Sequence, residues 1–262
     1  MYVDLRGKEL DFKVVPSTFE RYFTVEEEEK IVKELYNSYT FNGGTGRIEN
    51  VVDRGDKATI YFSKSKFYQL LTTTLLINEL GDLPCKVGEY RKEVKERGSL
   101  TTIHDVLNNK LLSNDVAVSV MIRDREGSYI LARRGVKVSV GVTLLSTSVT
   151  GSMDDTDLKQ KNPVVYTAKR EILEEAQLQF KDIEVEVQGL FMGKDKLQPV
   201  FICNAEYRGV FDEEWLDNSV LFSTENKYFN KSTAEEIKEY RFAKGRLSEA
   251  GEFHLELIKG LD

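Results

Sequence analysis

The chain has 262 residues but only two cysteines, two histidines, four prolines and one tryptophan. Cys85 and Cys203 lie far apart and match no metal-ligand spacing, so they read as reduced thiols in a cytosolic setting. His104 and His254 alone cannot build a multi-histidine metal centre. No uncharged apolar run approaches the roughly 18 residues that span a bilayer, and the start "MYVDLRGKELDFKVV" lacks the apolar core of a signal peptide. A cytoplasmic protein without a membrane partner is the expectation. Positive charge is also short: 37 Lys and Arg stand against 44 Asp and Glu, for a formal charge of −7. That balance disfavours a sequence-independent grip on a nucleic acid polymer, which needs a clustered basic surface. The 40% hydrophobic content suffices for a sizeable core in one large domain or two ordinary ones.

Along the chain, "VEEEEKIVKELYNSY" at 25–39 spaces Val25, Ile31, Val32, Leu35 and Tyr39 for an amphipathic helix, with its acids read as a solvated first turn. "FNGGTGRI" has glycines but no following Lys-Ser or Lys-Thr, so it reads as a turn and not a phosphate-binding loop. The turn leads into a hairpin from "RIENVV" to "ATIYF" across "DRGD". "SKSKFYQLLTTTLLINEL" reads as a helix with a serine cap, and "LPCKVGEYRKEVKERGS" as charged connecting surface. Near residue 110 the texture changes. "DVAVSVMIRDREGSYILARR" is two alternating strands around the turn "DREG", and the strand-like "VGVTLLSTSVTG" follows. A helix over 163–178 opens at Pro163. Strands at "IEVEVQGLF" and "QPVFICNAEY" come next, then helices near "STAEEIKEY" and within "RLSEAGEFHLELIKG". Interleaved helices and strands with tight hairpins imply that the second half is a mixed-sheet α/β or α+β sandwich, with a boundary near 110.

The 163–178 helix carries the chemistry. Val165, Ala168, Ile172 and Ala176 form an apolar stripe, while Glu171, Glu174 and Glu175 fall on another side at i, i+3 and i+4 spacing. Arg170 precedes Glu174 by one helical turn and can pair with it. Carboxylates brought this close repel: either water and Arg170 dilute the repulsion or a cation sits there, and hard divalent ions such as Mg²⁺ take oxygen ligands of this kind.

"REILEEAQL" at 170–178 resembles the Nudix box: a Gly, five residues, a Glu, seven residues, then Arg-Glu-aliphatic-any-Glu-Glu-any-Gly-aliphatic. Arg170, Glu171, Ile172, Glu174, Glu175 and Leu178 match, and Gly151 stands for the first glycine. The loop after Gly151, "SMDDTDLKQKNP", carries about five extra residues, Asn162 replaces the loop glutamate, and Gln177 replaces the second glycine. The resemblance covers about 111–262 and implies a Nudix-like α/β/α sandwich with a mixed sheet, preceded by an N-terminal α+β region at 1–110.

The resemblance implies Mg²⁺ or Mn²⁺ held by Glu171, Glu174 and Glu175, with Arg170 orienting them. Arg133, Arg134 and Gly151 fall on the substrate side. The implied activity is hydrolysis of a diphosphate linkage in a nucleoside diphosphate derivative. The alternative is a Nudix-like module that binds a nucleotide without turning it over. A third reading makes residues 1–110 an interaction module that builds a homodimer. A further acid would come from Glu206, Glu225, Glu235 or Glu236, and Tyr166 or Trp215 would stack on a base if they are not core.

Overall fold

The computed structural model describes residues 1–36, 42–77, 85–134, 145–194, 196–219, 226–240 and 249–259. The chain divides into two compact units. One comprises Met1–Ala117, Ser152–Pro163 and Gly189–Val200, and the other Val118–Gly151, Val164–Gln188 and Phe201–Asp262. The first unit therefore contains the N-terminal region, through Ala117, together with two later segments.

In the first unit, β1 (Tyr2–Asp4) and β2 (Glu9–Val14) precede helix α1 (Val25–Tyr36) and the hairpin of β3 (Gly44–Asp53) and β4 (Lys57–Lys66). Ala58, Ile60 and Phe62 lie on one face of β4 and are fully buried, and Thr59, Ser63 and Ser65 on the other face are buried too. β4 lies between an antiparallel β3 and a parallel β2, so this sheet is mixed. Gly55, at φ +87, turns the hairpin in the left-handed region that costs glycine least. The chain then forms α2 (Phe67–Gln69), which runs into a π-helical turn at Leu70–Thr74, followed by α3 (Cys85–Glu96) and α4 (Ile103–Asn108).

Several expectations for this region are corrected. Gly44 to Gly46 begin β3 instead of forming a turn. Ser63 to Lys66 end β4, so no serine caps the next helix; the Gln69 side chain accepts from the Lys66 backbone instead. The charged stretch after Pro84 is helix α3, not connecting surface, and it buries Val87, Tyr90 and Val94. Tyr39 lies outside the described residues. Glu28 is not solvated: it is 1% exposed, and burial pushes its carboxyl up to about 7 although Arg21, 3.6 Å away, draws it back. Arg47 is fully buried beside Glu49 at 3.3 Å and over the Phe19 ring at 5.6 Å. Such a charge is tolerated inside a fold only when it is paired.

The remaining chain supplies β5 (Ala117–Arg123), β6 (Tyr129–Arg134), β7 (Leu145–Ser146), β8 (Val149–Ser152), α5 (Pro163–Ala176), β9 (Ile183–Met192), β10 (Pro199–Tyr207), α6 (Glu213–Ser219), β11 (Asn226–Ser232), α7 (Ala234–Tyr240) and α8 (Glu249–Lys259). The larger sheet has the order β1-β9-β10-β5-β6-β11, with β7 on β6 and β8 on β5. The run at 140–151 resolves into β7 and β8, and its residues 140–144 lie outside the described residues. With mixed sheets and interleaved helices, the chain is an α+β protein.

Candidate functional site

Helix α5 owes its placement to a stripe that begins one residue earlier than expected. Val164, Ala168, Ile172 and Ala176 are all fully buried at i, i+4 spacing, whereas Val165 is half-buried. Burying Ile172 alone contributes about 1.5–3 kcal/mol. Phe180 packs edge-on against Tyr166 at 5.8 Å, and its carbonyl accepts from Lys169 Nζ at 3.1 Å, so the segment after the helix folds back on it. The helix ends at Gln177, whose φ of +56 is the left-handed turn that the family's glycine would make.

This packing separates the three glutamates. Glu171 and Glu175 flank the stripe and are buried at 7% and 6% exposure, while Glu174 points to solvent. Arg170 Nη1 donates to Glu171 Oε1 at 2.7 Å and to Glu174 Oε2 at 3.2 Å. The Glu171 carboxylate lies against the Cα of Gly151: a Cβ at 151 would fall 1.9–2.2 Å from its carboxylate atoms. A side chain there would have to displace the Glu171 carboxylate, so Gly151 and Glu171 are sterically matched across the long intervening loop. Among the described residues, no group of three His, Cys, Asp or Glu side chains is arranged to hold a metal ion. The three carboxylates have the donor chemistry of a hard-cation site, yet as they stand Arg170 takes two of them.

Arg133 and Arg134 end β6 opposite Tyr228 and Asn226 of β11, and Arg133 also pairs with Leu145. Glu206 lies on β10, 3.8 Å from Arg123; burial raises its carboxyl and Arg123 partly offsets the rise. Glu236 accepts from the Thr233 backbone at 2.7 Å and so caps α7. Glu235 is exposed on the same helix, and Glu225 lies outside the described residues. Trp215 is packed between Phe211 and Phe229, with ring centroids 4.8 and 5.6 Å away, a core arrangement.

The sequence reading missed a cavity of about 390 Å³ on the strands of the second unit, lined by Met121, Arg123, Tyr129, Glu186, Asn204 and Glu206 among others. Beside it, His254 of α8 is fully buried with Nε2 2.8 Å from Asn204 Oδ1, and burial pushes its imidazole down to about 3. These residues lie on four strands and a helix with no motif linking them, so only the fold brings them together.

No protein-family model matches the sequence, and no curated protein matches it. Solved structures similar to this chain include a Deinococcus radiodurans protein, 19% identical over 56% of this chain and 82% of that one, at a TM-score of 0.41. The MutT protein of Methanosarcina mazei is 17% identical over 56% and 94% of the two chains, with a TM-score of 0.40. A NUDIX hydrolase from Nitrosomonas europaea is 14% identical over 56% and 88%, with a TM-score of 0.39. The chain is thus similar to MutT and Nudix proteins over about half of its length, at a level that says nothing of substrate or turnover.

Proposed function

We propose that this chain is a Nudix-type pyrophosphohydrolase that splits the diphosphate linkage of a nucleoside diphosphate derivative with Mg²⁺ or Mn²⁺. The observation that carries the reading is the Glu171 carboxylate seated on Gly151 while Arg170 joins it to Glu174. Glycine, arginine and glutamate meet here in three dimensions, although the loop between them departs from the family spacing. Glu171, Glu174 and Glu175 would hold the cation, which when bound supplies charge against the diphosphate oxygens and an acidified water.

The chain's own groups do the rest. Arg170 fixes the rotamer of Glu171, burial restricts Glu175, and Glu174, with a side chain 55% exposed, is the acid open to substrate. Arg133 and Arg134 are assigned to the substrate phosphates. A nucleotide-binding module without turnover is the second reading, kept by Asn162 in place of the loop glutamate and by the extra residues after Gly151.

The test is release of phosphate-containing products from a panel of nucleoside diphosphate derivatives with Mg²⁺. Glu174→Gln and Glu175→Gln should each lower turnover by about 10²-fold or more, the scale of losing a principal charge-stabilising group. No turnover by the native chain, with nucleotide still raising its melting temperature, would establish the binding module instead.

A further inference from the structure

The glycines of "FNGGTGRI" take no part in the site above, yet at two of them an added side chain would have to displace a neighbouring one. A Cβ on Gly46 would lie 2.8 Å from Met153 Sδ, 2.9 Å from Met153 Cγ and 3.4 Å from Leu158 Cδ2. One on Gly44 would lie 2.5–2.8 Å from the Asp155 carboxylate. Both sets of neighbours belong to the loop between Gly151 and α5, the one that carries the extra residues.

Backbone bonds lie along the same line. Gly46 N donates to Met153 O at 2.8 Å, Asp155 N to Gly44 O at 3.2 Å, and Met153 N to Val116 O at 2.9 Å. Thr45 and Asp154 form an antiparallel bridge. Lys64 of the neighbouring strand stands 3.4 Å from Asp155. The loop thus satisfies edge groups of β3 that would otherwise need water or another partner. Met153, Asp157 and Leu158 are buried, at 0%, 1% and 6% exposure. Asp154 N donates to Asp157 Oδ2 at 3.0 Å, which rigidifies the turn before the 3₁₀ segment Asp157–Lys159. Residues 152–163 accordingly fall in the first unit, with the N-terminal region.

We infer that β3 is a docking strand for segment 152–163, and that Gly44 and Gly46 are positioning residues through which the N-terminal region fixes the entry to the glutamate helix. The segment follows Gly151 and leads, at Pro163, into the helix that carries Glu171. Its consequence for catalysis rests on the proposed function; the docking does not.

Limited trypsin cleavage reads the docking directly, because Lys159 and Lys161 are exposed on the loop. Gly46→Val drives methyls into Met153 and Leu158, and Met153→Ala removes the anchor without adding bulk. Each should be cut after Lys159 and Lys161 at least about tenfold faster than the native chain, since cleavage follows the population of the opened loop. The double variant should be cut more slowly than Gly46→Val alone, because valine then fills space the methionine left. Native cutting rates in both single variants would overturn the inference. So would cleavage throughout an unfolded Gly46→Val chain if Met153→Ala were cut like the native protein. With a substrate in hand, Met153→Ala should lower kcat more than it changes KM. A native chain without turnover would remove the proposed function and leave the cleavage result standing.

Discussion

Replacing Gly151 by alanine tests the seat of Glu171. The added methyl would lie 1.9–2.2 Å from the carboxylate atoms, where nonbonded carbon contacts are at ease near about 3.5 Å. The carboxylate must therefore withdraw by roughly 1.5 Å. It is buried, and its 2.7 Å bond to Arg170 is charge-assisted, a kind that contributes about 1.5–3 kcal/mol. Losing that bond predicts a destabilisation of about 2–3 kcal/mol, which in a chain of this size lowers Tm by roughly 4–12 °C. Thermal unfolding followed by circular dichroism would compare Gly151→Ala, Glu171→Ala and the double variant. Removing the carboxylate makes room for the methyl, so the double variant should melt with Glu171→Ala, a coupling of about 2 kcal/mol. A Gly151→Ala protein that melts with the native chain would refute the steric argument, as would penalties that simply add.

Two further outcomes follow from strain and burial. Gln177→Gly should stabilise the chain by about 1 kcal/mol in denaturant titration, because glycine adopts the φ of +56 without the cost of a Cβ. For His254, the folded imidazole is pushed down to about 3 and stays neutral, whereas the unfolded one takes a proton near 6.5. Its contribution is thus present above pH 6.5 and is lost as pH falls toward 3. Native stability should drop relative to His254→Leu by on the order of 2 kcal/mol between pH 6.5 and 5. Parallel pH profiles for the two proteins would contradict a buried neutral histidine.

The elements legible in the sequence were those with a clean hydrophobic period. The β5–β6 hairpin, β9, β10 and α5 all pair apolar alternation or i, i+4 stripes with a turn or proline that marks an end. The end of β4 was misread because its alternation is polar. Ser63 and Ser65 turn inward, where Ser63 bonds Glu49 and Ser65 bonds Gln69 at 2.8 Å, while Lys64 and Lys66 face out. In α3, lysines and glutamates hid a stripe of only three residues, Val87, Tyr90 and Val94. Of the candidate site, the link between Arg170 and Glu174 follows from helical spacing alone. The seat of Glu171 on Gly151 does not: it depends on where a loop of unusual length returns the chain. Nor could a count of acids foresee that Glu236 is spent on a helix cap.

Strand β1 pairs antiparallel with the far half of β9, matching Tyr2 to Phe191, Val3 to Leu190 and Asp4 to Gly189. Gly189 is small because the Tyr2 ring lies across it, where a Cβ would come within 2.2–2.4 Å of ring and hydroxyl atoms. During synthesis this gives the first strand a long wait. At about 5–20 residues per second, roughly 10–40 seconds separate the making of Tyr2 from that of its partner. Through that interval the first strand has no native ladder to join. The closure that completes this part of the sheet is a late event of high sequence separation, the kind that slows folding and leaves strand edges open to chaperones.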